Sequence, residues 1–188
     1  MPVIYRDALS AVIRCLAEDC IDTASKQAWQ RLSRDASPGP RPGPRSTAQE
    51  RLALDCLVHA RLHRELPPRL WHVLVARYST HNARKVEAIG RLVPQLRSPA
   101  PQLFRYKAVT TWAIPQQKGR SGRRSTDMLV LPAEFYDMNT WDPEGRPEQT
   151  RRRWRAGIRK ELEAMVDAAL VQVQAILQDE GLLIDEAT

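Results

Sequence analysis

Cysteine is scarce in this 188-residue chain, at Cys15, Cys20 and Cys56 only. An odd count with no C-x-x-C pair argues against a disulfide framework and a cysteine-based zinc site, so the thiols read as reduced and mostly buried. Long apolar runs are missing as well. The opening MPVIYRDALSAVIRCLAEDC has no basic leader and is broken by Asp7, Arg14, Glu18 and Asp19, which fits neither a signal peptide nor a membrane span and predicts a cytoplasmic protein. There is no G-x-S-x-G, no cysteine–histidine signature and no glycine-rich loop entering a helix after a strand. The acids Glu134, Asp137 and Asp142 near Asp127 lack a repeated spacing for magnesium. His59 and His63 are four apart, but HARLH has no H-E-x-x-H glutamate and no third ligand. The expectation is a binding protein, not an enzyme, with no metal and no cofactor.

Acid is what the middle of the chain lacks. Residues 1–66 carry 10 Lys+Arg against 8 Asp+Glu, residues 67–126 carry 12 against 1, and residues 127–188 carry 7 against 13. The net charge of +7 is thus a central block of +11 between flanks of +2 and −6. Glu87 is the one acid inside that block, so local salt bridges cannot absorb it. A basic face of this kind suits a phosphate backbone.

What is present is mostly helical periodicity. Residues 1–36 read as one or two amphipathic helices, with Ile4, Leu9, Val12, Ile13, Leu16, Ile21, Trp29 and Leu32 at largely helical spacing. SPGPRPGPR, residues 37–45, is an extended linker. A helix restarts behind a capping box, Ser46 with Gln49 or Thr47 with Glu50, and carries Leu52, Leu54, Leu57, Val58 and Leu62. Pro67 and Pro68 break it and start another with Leu70, Trp71, Leu74 and Val75 inward.

Two further helices follow. Ser79 or Thr80 caps NARKVEAIGRLVPQL, with Val86, Ile89, Leu92 and Val93 inward, and Pro94 ends or bends it. Ser98 as N-cap and Pro99 as first helical residue then predict a helix running toward Trp112. The pair is a helix-turn-helix candidate with the second helix as reader. On it Leu103, Ala108, Thr111 and optionally Phe104 point inward, while Gln102, Arg105, Tyr106 and Thr110 face solvent, able to bond base edges and phosphates. Lys85, Arg91 and Arg97 are placed to grip the backbone.

Residues 115–132 hold a glycine- and arginine-rich stretch whose Lys118, Arg120, Arg123 and Arg124 make a phosphate clamp if flanking strands, Thr110–Ile114 and Met128–Leu131, form a hairpin or wing. Its GRSG lacks the apolar flanks of an RNA-binding G-x-x-G loop and is no P-loop. A loop anchored by Phe135, Tyr136 and Trp141 precedes the longest helix, capped by Asp142 with Pro143 in its first turn and ending at Gly181. Trp154, Ile158, Leu162, Met165, Ala169, Val173 and Ile176 form its apolar face. Arg151, Arg152, Arg153, Arg155, Arg159 and Lys160 crowd its start, where the helix dipole disfavours cations. They read either as a nucleic-acid or acidic-protein contact or as plain solvated charge. The fold expected is mainly α: a helical bundle containing a helix-turn-helix, with a small β-hairpin or wing and a long C-terminal helix. Its parts are residues 1–36, the linker 37–45, a basic domain 46–132, and a loop with the long helix, 133–188.

The stretch LWHVLVARYSTHNARKVEAIGRLVPQLRSPAPQLFRYKAVTTWAIP, with RSTDMLVLPAEFYDMNTWD after it, resembles the Q-like processive transcription antitermination proteins of phages and prophages. Within that family it looks most like those that switch on a bacterial lysis and cell-death cassette. The zinc-binding cysteine clusters of some Q proteins are missing, which points to the zinc-free kind. The resemblance implies a protein that binds a promoter-proximal double-stranded DNA element, engages RNA polymerase paused with its sigma factor, and narrows the RNA exit channel so that terminators are read through. It assigns Gln102, Arg105, Tyr106 and Thr110 to DNA reading and Lys85, Arg97 and Lys107 to phosphates. The loop cations Lys118, Arg120, Arg123 and Arg124, or the run at Arg151, Arg152, Arg153 and Arg155, would meet nascent RNA or polymerase. Two other readings suit the same residues: a dimeric helix-turn-helix repressor or activator with the C-terminal stripe as its seam, and a basic phage structural DNA-binding protein.

Overall fold

A computed structural model describes residues 5–17, 48–116 and 129–183. The described residues form six α-helices: α1 (Ala8–Cys15), α2 (Ala48–Glu65), α3 (Pro68–Tyr78), α4 (Asn82–Leu92), α5 (Gln102–Ala113) and α6 (Glu148–Asp179). They make a helical bundle around one apolar core that draws residues from Tyr5 through Leu183. The 37–45 linker, the Ser46 and Thr47 caps and the 118–124 loop lie outside the described residues.

Local chemistry explains most boundaries. Asp7 caps α1 by accepting from the Ser10 amide at 2.6 Å, and Ser10 Oγ accepts from the Asp7 amide at 3.2 Å. Pro68 opens α3, where its missing N–H costs nothing. The cap of α4 is His81, which accepts from the Arg84 amide at 3.4 Å, in place of Ser79 or Thr80; Ser79 is buried, and its Oγ accepts from the His81 amide at 3.1 Å. Helix α6 ends as expected, with Gly181 at φ +64, the left-handed region glycine reaches most easily.

The start of α6 differs from the expectation. Asp142 is buried and accepts from the Arg146 amide at 2.8 Å and from Arg146 Nη1 at 2.9 Å. It thereby folds a turn with Gly145 at φ +65, and the helix waits until Glu148. Ile158, Leu162, Met165, Ala169 and Val173 are buried inside the chain itself, together with Val166 and Leu177. That removes the stripe as a dimer seam. Helix α3, with Trp71, Val73, Leu74, Val75 and Ala76 buried, lies between α4 and α6. Tyr5 clips the start of the described chain to its end, pairing with Leu183 and donating its amide to Leu182 O at 3.1 Å. The Tyr5 hydroxyl donates to the buried Asp55 at 2.5 Å, and Arg14 meets that carboxylate at 3.0 Å. Among the described residues no helix is long and apolar enough to cross a membrane.

Candidate nucleic-acid interface

Helix α5 starts later than its serine suggests. Ser98 Oγ accepts from the Ala100 amide at 3.3 Å in a local turn, and Pro101 occupies the N-cap position of a helix whose first residue is Gln102. The cause is the proline pair: a residue preceding proline is driven from the helical region, so Ser98 and Ala100 stay out of it until Pro101 is passed. The connection from α4 is therefore long, a short 3-10 turn at Val93–Gln95 followed by irregular chain to Pro101, not the tight turn of the expected motif.

The faces of α5 divide differently from the periodic reading. Ala108 and Thr111 are buried as expected, and Phe104 is fully buried. Thr110 is not a reader: it is 5% exposed, and its hydroxyl donates back to Tyr106 O at 2.8 Å. Leu103, expected inward, is 43% exposed. From Ala108 to Ile114 every residue is buried, so the segment expected as a strand at Thr110–Ile114 is the sheathed second half of a helix. Only the first turns emerge, presenting Gln102, Leu103, Tyr106 and the half-buried Arg105. With Gly90, Val93 and Pro94 at the end of α4, these four line an open groove. Of the strand expected at Met128–Leu131, residues 129–131 form no strand, and Met128 lies outside the described residues.

The cations fall into distinct roles. Lys85 is turned inward: its ammonium donates to Ala76 O at 2.8 Å, Arg77 O at 3.2 Å and Ala113 O at 3.5 Å. All three donors are committed to the carbonyl ends of α3 and α5, which leaves none for a phosphate. Burial, with Arg77 nearby, pulls its pKa down to about 8. Lys107 lies over the Phe135 ring at 5.4 Å and donates to Thr140 Oγ1 at 3.1 Å, on the side of the 133–141 loop. Arg97 is exposed, and its amide donates to Glu161 Oε2 at 3.1 Å while Arg69 holds Oε1 at 2.9 Å.

The arginine run of α6 lies beside α5. Phe104 meets Trp141 edge-on at 5.3 Å and Trp154 at 5.5 Å, and Trp112 Nε1 donates to Glu163 Oε1 at 2.9 Å. Phe104 with Trp154 and then Trp112 with Glu163 follow the same order along both helices, so α5 and α6 run side by side in one direction. Arg155 sits over Trp141 at 5.5 Å and Arg146 over Trp154 at 5.3 Å. Arg152 pairs with Glu148 at 2.6 Å, and Arg153 is exposed. The Nε atoms of Arg105 and Arg151 are buried with no hydrogen-bond partner. Arg146, tied to Asp142 and Glu144, escaped the sequence reading because it belongs to no run and no periodic face.

A second concavity, of about 110 Å³, is lined by His59, His63, Trp71, His72, Arg84 and Glu87, among others. Both His59 and His63 meet Trp71 edge-on at 5.1 Å. Burial, then Arg84 and His63, push His59 down to about 4, and burial and Arg91 lower His72. Among the described residues no cluster of three or more histidine, cysteine or acidic side chains is arranged to hold a metal ion. Cys15 is buried, and burial and Asp55 push its thiol up to about 12.

No family model matches the chain, and neither a curated protein nor a solved structure matches it.

Proposed function

We propose that this protein is a DNA-binding transcription regulator of the Q-like processive antiterminator type, acting in the cytoplasm without catalytic chemistry of its own. In this reading the first turns of α5 enter the groove of a promoter-proximal element, with Gln102, Arg105 and Tyr106 as readers and Arg97 on the backbone. The protein then loads onto RNA polymerase paused with its sigma factor and alters the RNA exit channel so that terminators are passed. The observation that carries the DNA half is the emergence of α5. A helix sheathed along its second half presents only its N-terminal turns, with no acid in the first turn, and such turns are what groove-reading helices offer to base edges. The surrounding charge of +11 over residues 67–126 supports the same partner. The antitermination half follows from the resemblance of this central stretch to that family.

The test is transcription in vitro across an intrinsic terminator, with the protein added before or after promoter escape. Readthrough that requires early addition is expected, and unchanged termination on templates carrying the protein's own element defeats the antiterminator reading. For the DNA half, Arg105→Ala should weaken binding to that element by about 1–3 kcal/mol and binding to random duplex far less. Equal losses on both would make Arg105 a phosphate contact and remove α5 as the reader.

A further inference from the structure

Two helix N-termini and an unneutralised arginine set meet at one end of the bundle. Helices α5 and α6 run in one direction, and the Phe104 ring ties the first turn of α5 to Trp154 in the second turn of α6. The positive ends of both dipoles therefore open toward the same side. Arg155 lies within about 11 Å of the Phe104 ring, by way of Trp141 at 5.5 Å and then 5.3 Å. The major groove of B-DNA is about 12 Å wide, so the separation between the first turns of the two helices is on the scale of a groove and its bordering backbone.

We propose that the first turns of α6, through Arg151 and Arg155, which lie four apart on one helical face, clamp the backbone of the same duplex that α5 enters. This rests on the DNA-binding reading and deepens it, replacing separate DNA and RNA surfaces with one two-helix grip. Among the described residues neither of these two arginines has a carboxylate partner, whereas Arg152 and Arg159 are paired with Glu148 and Glu163. The two arginine Nε atoms buried without an acceptor, those of Arg105 and Arg151, belong one to each helix. Those two atoms are enclosed, but each guanidinium carries further N–H donors on its two terminal nitrogens, which suit the oxygens of a phosphate. Duplex DNA fits better than single-stranded RNA because the run carries no stacking platform of its own. Trp141 is buried, and Trp154 is covered by Phe104 and Arg146.

The experiment measures binding of the full chain to mixed-sequence duplex DNA and to single-stranded RNA of equal length, by anisotropy over a salt series. Arg151→Gln with Arg155→Gln should flatten the log K against log salt slope on duplex by roughly 1.8, about 0.9 for each phosphate no longer neutralised. Arg151→Lys with Arg155→Lys should retain the slope, which separates loss of charge from loss of fold, and Arg64→Gln on α2 should leave it unchanged. An unaltered duplex slope in the glutamine variant overturns the clamp, in favour of RNA if RNA binding alone weakens. Wild-type protein with no salt-dependent duplex binding overturns both the clamp and the DNA reading, so the two failures are distinguishable.

Discussion

Lowering the pH from 7 to 5 should destabilise the fold through His59. Its imidazole lies against Trp71 and His63 in the small cavity, with Nε2 buried and unpartnered and Arg84 on the cavity wall. The folded chain takes a proton there only near pH 4, the unfolded chain near 6.5. Between those values the unfolded state binds more protons, so stability falls as pH drops through the window and is unaffected by this group above it. A full shift of this size corresponds to about 3 kcal/mol, of which about 2 kcal/mol has been lost by pH 5. Because the side chain is only partly buried, solvent screening reduces that to about 1–2 kcal/mol. The assay is urea denaturation of the wild type and His59→Leu at both pH values. The variant removes the titration while His72 and every carboxylate remain, so the difference between the two pH dependences isolates His59. The wild type should lose about 1–2 kcal/mol more than the variant, roughly 2–8 °C in Tm for a chain of this size. Equal losses in both proteins would refute the reasoning, since the orphaned nitrogen would then not be the seat of the shift.

The aromatic node and the inward lysine yield two further expectations. Phe104→Ala should cost about 3–5 kcal/mol in urea denaturation, because the side chain is fully buried and packed on two tryptophan rings, and a loss under about 1 kcal/mol would mean that the α5–α6 junction is not held there. Lys85→Met should lower stability by about 1–3 kcal/mol by stranding the carbonyls of Ala76, Arg77 and Ala113, yet leave the duplex salt slope unchanged. A slope flattened by about 0.9 would return Lys85 to the phosphate role.

Those two residues also mark what the sequence made legible and what it did not. The helical class, the proline start of α3, the glycine stop of α6 and most of the α6 stripe follow from period and capping, which are local properties. The faces of α5 do not. Period assigns Leu103 inward and Thr110 outward on the assumption that one side of the helix is wet, but the second half of α5 is enclosed on all sides, so composition there reports burial and not orientation. Lys85 looked like a phosphate ligand because sequence shows its charge and hides the three carbonyls it caps. The node of Phe104, Trp141 and Trp154 joins segments far apart in the chain: spacing marks Trp154 and allows Phe104 inward, but nothing local shows that the three rings meet.

The cations at the start of α6 set a cost that the fold only partly offsets. A positive charge at a helix start opposes the dipole by about 0.3–1 kcal/mol, an effect that fades beyond the first turn, so it bears most on Arg151 and less on Arg152, Arg153 and Arg155 in the second turn. The Arg152–Glu148 pair relieves one, at the few tenths of a kcal/mol typical of exposed pairs four residues apart. Arg155 over Trp141 recovers about 0.5–1 kcal/mol more. Arg151 and Arg153 have no such relief among the described residues, and Arg151 adds a buried donor without an acceptor. Folding alone favours neutral or acidic side chains at these two positions, so replacing them should stabilise the free protein slightly while weakening its grip on an anion. That opposition between stability and binding distinguishes a binding surface from charge that merely keeps a helix soluble.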